Sequence, residues 1–137
     1  MLFPREIETK LGFDKLRDLL KEKCSGAYGQ RNVDKIQFLS RPDLIAKLCN
    51  QTAECMMMIR SGESLPPLAY PDSDHLLEKL RIEGIFLDPE EMADLLKSLR
   101  IQYSWKAFIQ VRKDVYPEIA SLDPLIFSDA GLIKKIE

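Results

Sequence analysis

The residues able to do acid–base, nucleophilic or metal chemistry are few. His75 is the single histidine of the chain, flanked by Asp72 and Asp74 at the boundary between a loop and a short helical stretch. An imidazole beside carboxylates can serve as a general base, but a helix-capping position at the surface explains the same residues without catalysis. Cys24, Cys49 and Cys55 are odd in number, which argues against a disulfide framework. A zinc site needs closely paired ligands. Cys49 and Cys55, six positions apart, fall on different sides of a helix with one histidine to join them, so buried free thiols are expected. The pairs Glu90-Glu91 and Asp72/Asp74 suit helix N-termini, where the macrodipole favours negative charge. No serine sits in a nucleophile elbow, and no G-x-x-x-x-G-K-[ST] loop is present to cradle a phosphate. The expectation is therefore no catalytic, cofactor-binding or metal-ligating residues in this chain.

A freestanding DNA-binding domain draws much of its affinity from phosphate neutralisation and carries a basic surplus. This chain of 137 residues has 20 basic and 22 acidic side chains, a net charge of −2. Charges alternate in runs such as DKLRDLLKEK, the pattern of a solvated helix face. The candidates for a local patch that net charge would conceal are Arg100, Lys106, Arg112 and Lys113, provided they share one side of a long helix.

The elements that would position these residues are helical. A hydrophobic content of 45% with 31% charged residues fits one globular domain. No apolar run approaches the ~20 residues of a membrane span, and MLFPREIE lacks the basic and apolar regions of a signal peptide, so a cytoplasmic address is expected. Phe13, Leu16, Leu20 and Cys24 recur at helical spacing between Gly12 and Ser25-Gly26, and a second helix runs through Tyr28, Val33 and Ile36. Gly29 on that second helix is expected to permit close approach to the first. A third helix has Ser40 as its N-cap, Pro42 in its first turn and Gly62 just past its end, with Leu44, Leu48, Thr52, Cys55, Met56 and Ile59 as its apolar stripe. Within Met56-Met57-Met58, only Met56 falls on that stripe.

SGESLPPLAYPD, residues 61–72, is a structural linker with three prolines. SDHLLEKL follows as a short helix capped by Ser73, and residues 84–87, GIFL, read as a strand-like connection without a partner. LDPEE carries a capping box, Asp88 with Glu91, and Pro89 at the first helical position. The long helix after it shows two apolar faces, Met92/Leu95/Leu96/Leu99 and Ile101/Trp105/Phe108/Ile109, and should reach about Asp114; Pro117 opens another short piece. The terminal SDAGLIKKIE begins an amphipathic helix. The sum is an all-α bundle of five to six helices, grouped as 1–60, 61–72 and 73–137 within one domain.

The order of these pieces resembles the opening of the bacterial MutS II ATPases. LGFDKLRDLLKEKCSGAYG matches through Leu11, Phe13, Asp14, Leu19, Leu20, Ser25, Ala27 and Gly29; QTAECMMM, the PPL of residues 66–68 and RIEGIFLDPEEMADLLKSLR (81–100) follow in the family's order. The resemblance spans nearly the whole chain, and its specificity lies in order and spacing. It implies the N-terminal part of the core, or lever, domain of a larger homodimeric DNA-binding ATPase, with ATP and Mg held by motifs far downstream and, in many members, a terminal Smr nuclease domain. The chain would then be an excised fragment, its last helix cut short, with DNA (branched or mismatched) and the remaining MutS-like domains as partners. None of the family's nucleotide-site residues falls on this stretch. An independent helical protein–protein interaction module is the alternative.

Overall fold

The computed structural model describes residues 7–137, so the first six residues of MLFPREIE lie outside the described residues. Among the described residues the chain is all-α: eight α-helices and one 3-10 turn, and no strand. That is more helices than the expected five to six: the single turn at Ile7–Lys10 leaves little periodic pattern in sequence, and the short piece opened by Pro117 is a helix in its own right.

The backbone forms two compact units that divide between Phe38 and Leu39. The first holds α1 (Ile7–Lys10), α2 (Phe13–Lys23) and α3 (Ala27–Asp34). Gly12 takes φ 73 at the start of α2, a left-handed conformation that suits glycine and turns the chain out of α1. Arg17 ties the unit together: its guanidinium bonds Glu8 at 2.7 Å and the Ile36 carbonyl at 2.7 Å, and lies over the Phe13 ring. Lys21 pairs with Asp34 at 2.6 Å, joining α2 to α3. Helix α3 ends at Asp34, before the expected Ile36, because its last turn tightens as the Lys35 N–H bonds the Asn32 carbonyl.

The second unit begins with α4 (Pro42–Arg60). Arg41, not Ser40, occupies its cap position, and no side chain caps it. The residue before a proline is pushed to extended geometry, which places the helix boundary at Arg41 and leaves Ser40 one step too early. Gly62 stands just past the helix with φ 72, as expected of a C-terminal glycine. The linker 61–72 has no regular structure and leads into α5 (Asp74–Leu80). Ser73 holds the cap position of α5, but its hydroxyl bonds Ser98 Oγ at 2.7 Å instead of the helix. Residues 84–87 pass between helices with no partner strand, leaving Phe86 85% exposed.

Helix α6 (Pro89–Val111) starts at the expected capping box, with the Asp88 carboxylate accepting the Glu91 N–H and the Glu91 carboxylate accepting the Asp88 N–H. It stops at Val111, three residues short of Asp114, where the Arg112 N–H closes on the Ile109 carbonyl. Then come α7 (Pro117–Ala120), a 3-10 turn at Asp123–Leu125 and α8 (Ala130–Ile136), which packs against α6 and is capped by Asp129. Phe108 and Ile109 of α6 form the core with Met58, Tyr116 and Ile119; Trp105 meets Phe108 edge-on at 5.7 Å and donates its indole N–H to the Pro67 carbonyl, fastening the linker. Because α4 packs against α7 across the linker, the compact units divide ahead of α4 and not at residues 61–72.

Candidate functional site

The four basic candidates are not brought to one side. Arg100, Lys106 and Arg112 stand six positions apart, which at about 100° per residue spreads them roughly 120° from one another around a helix axis. Their contacts agree. Arg100 pairs with Glu137, just past α8, at 2.5 Å, Lys106 donates to the Ile126 carbonyl at 3.3 Å, and Arg112 pairs with Glu63 of the linker while lying 3.9 Å over the Phe108 ring. Lys113, beyond the end of α6, is exposed. Three of the four thus serve contacts within the second unit, on three different segments.

The other chemistry-bearing residues are equally scattered. His75 is exposed at the second position of α5. Cys24 is half-buried and donates to the Leu20 carbonyl at 3.3 Å, whereas Cys49 and Cys55 are exposed on α4, which corrects the expectation of buried thiols. Neighbouring side chains still desolvate the Cys55 thiol and, with the Glu54 carboxylate beside it, push its pKa up, so it is a poor thiolate. Among the described residues no cluster of three or more His, Cys, Asp or Glu is placed to hold a metal ion, and no helix is long and apolar enough to cross a membrane. The acidic residues do serve helix starts. Glu91 is held below its ordinary pKa by the Lys79 ammonium at 2.5 Å and by the Asp88 N–H. Asp43 is lowered in the same way by Arg41 and then by the Leu44 N–H.

Beyond Leu44, which is covered as expected, helix α4 presents its faces the other way round from expectation. Leu44, Gln51, Glu54 and Met58 are its covered residues, while Leu48, Thr52, Cys55, Met56 and Ile59 are exposed, Ile59 at 67%. The helix is rotated because α7, with no side-chain cap of its own, needs an acceptor. Glu54 supplies it, accepting the N–H of Glu118 at 3.1 Å and of Ile119 at 2.8 Å, while Gln51 donates to the Glu118 carbonyl at 3.4 Å. Met58, not Met56, enters the core.

One concave surface went unmarked in the sequence. The outward face of α6 carries Ala93, Leu96, Lys97, Arg100 and Ser104 at spacings of three and four, within roughly 100° of arc. Pro67 and Ala69 of the linker wall one side of it, enclosing about 560 Å³ with Ile101. Ala130, Ile133 and Lys134 of α8 wall the other, enclosing about 420 Å³ with Tyr103. Arg100 is the residue the two open hollows share, and together they are referred to as the groove along α6. The spacing was legible; the walls were not, since they come from residues some thirty positions away on either side.

Comparison of the chain with family models, curated proteins and solved structures finds no match.

Proposed function

We propose that the chain is a non-catalytic helical structural module of a cytoplasmic, MutS-like DNA-binding ATPase, coupling DNA-holding parts of the parent to its nucleotide site. The observation that carries this reading is the order and spacing of LGFDKLRDLLKEKCSGAYG, QTAECMMM, PPL and RIEGIFLDPEEMADLLKSLR along the chain. The long helix is consistent with a mechanical part. Its 23 residues span roughly 35 Å at 1.5 Å per residue, it is capped at the start, and side chains on two faces are covered, so it can transmit displacement with little bending. ATP and Mg would bind elsewhere in a homodimeric parent, and branched or mismatched DNA would be gripped elsewhere too.

The test is the reading frame that continues past the codon for Glu137. Several hundred further codons containing G-x-x-x-x-G-K-[ST] are expected; a stop codon at that point would sink the proposal. A second reading, an independent protein–protein interaction module, draws on the exposed apolar residues of α4, Leu48, Met56 and Ile59. A stop codon there favours it.

A further inference from the structure

We propose that the groove along α6 is a docking site for an acidic amphipathic helix of a partner protein. The inference stands on the second unit alone and does not depend on the parentage proposed above.

Shape comes first. The floor from Ala93 to Ser104 runs about 17 Å, close to three helical turns, and the groove is open along its length, so it would leave a small ligand largely in water. The residues at its rims and floor include Ala69, Ala93 and Ala130, whose small side chains allow a second backbone to come near. Apolar contact is offered by Leu96 and Ile133, both half-buried, and by Tyr103, 46% exposed. An amphipathic helix laid in such a channel would place residues at i, i+3, i+4 and i+7 on the floor.

Charge then selects the partner. Lys97 on the floor and Lys134 on the α8 wall are exposed, and no ion pair is found for either among the described residues. Arg100 lies between them, held by Glu137 in an ion pair with both side chains about half exposed, 57% and 44%. Exposed pairs of this kind contribute little, so an incoming carboxylate can take the place of Glu137 on Arg100. Against the one lining carboxylate, Glu137, the three cations leave the groove net positive, complementary to a helix with one leucine-rich face flanked by Asp or Glu. Nucleic acid is less well matched. Three cations neutralise few phosphates, and the chain as a whole carries −2.

The test is selection on the full chain. A display library of helical peptides, randomised over one face and both flanks, is panned against the protein, and the recovered peptides are titrated by fluorescence anisotropy at two salt concentrations. The expected winners carry apolar residues at i, i+3 or i+4 with flanking carboxylates, bind more weakly at higher salt, and shift the backbone amide resonances of Ala93, Ser104 and Ile133. Lys97→Glu with Lys134→Glu should weaken them by about tenfold or more. Lys47→Glu with Lys113→Glu, equal in charge but away from the groove, should leave them unchanged. Circular dichroism checks that both double variants stay folded. The proposal is overturned by winners without carboxylates, by resonance shifts elsewhere, by equal losses in the two double variants, or by no winners. Tighter binding of a fluorescent single-stranded oligonucleotide, lost with Lys97→Glu and Lys134→Glu, would replace it with a nucleic-acid surface.

Discussion

Gly29 shows how a single hydrogen can be the fitted part. A β-carbon added there would meet both Cβ and Sγ of Cys24 at 3.2 Å. The sequence suggests a close approach between two helices; the structure narrows it to one side chain at the C-terminal end of α2. Alanine would gain up to roughly 1 kcal/mol in helix propensity, but Cys24 Cβ is fixed to the backbone, so crowding of about 1–3 kcal/mol outweighs that gain. Gly29→Ala should therefore lower stability by about 1 kcal/mol in urea melts. Cys24→Ala should restore only part of the loss, since Cβ stays. A stabilised Gly29→Ala protein would refute the close contact. Glu54 is the opposite case, a residue whose importance no local pattern announces. Its two bonds to Glu118 and Ile119 are charge-assisted. Glu54→Ala should cost about 1.5–3 kcal/mol, whereas Thr52→Ala on the exposed side of the same helix should cost far less.

At the scale of elements, the parts encoded within five or six neighbouring residues were legible and those encoded across the fold were not. LDPEE specifies the start of α6 because Asp88, Pro89 and Glu91 act on backbone donors within one turn. Gly62 likewise ends α4 by its own φ. The orientation of α4 was not legible, since the apolar pattern assigns Gln51 and Glu54 to solvent and cannot see that α7, more than sixty residues later, requires them. The same blindness placed Cys55 and Met56 inside. In the candidate site, the basic residues along and just past α6 are visible in sequence, but their dispersal onto Glu137, Ile126 and Glu63 is not. Two tests address the capping box. Asp88→Ala should cost about 1 kcal/mol. Glu91→Gln keeps a side chain able to accept from the Asp88 N–H and removes the charge paired with Lys79. Because the folded pKa of Glu91 is depressed, its contribution is present above the ordinary carboxylate pKa and lost as pH falls through the depressed value. The stability gap between wild type and Glu91→Gln should thus be full at neutral pH and close in acid below the usual glutamate range. A gap that persists there would show that the charge is not its source.

For the molecule as a whole, the two compact units differ in what they can bury. In the second, Met58, Ile101, Phe108, Ile109, Tyr116 and Ile119 are all covered, and Leu76 is 1% exposed. In the first, Val33 is buried while Leu11, Leu16, Leu19 and Leu20 stay at least 40% exposed. Units this small seldom hold a core without help. Native-state hydrogen exchange should find the slowest amides around Phe108 and Ile109 in α6, with α2 and α3 exchanging faster by at least about tenfold. Equal protection in both would contradict this distribution of buried surface.

The Glu54 cap also orders events in time. A four-residue helix such as α7 does not nucleate alone, and the acceptor for its first donors arrives only when the chain has closed a loop of some sixty residues onto α4, a slow and entropically costly contact. Helix α7 should therefore be absent from the folding transition state. Glu54→Ala would then leave the refolding limb of a chevron plot nearly unmoved and express its whole effect as faster unfolding, so that this one carboxylate governs how long the folded chain lasts and not how soon it forms.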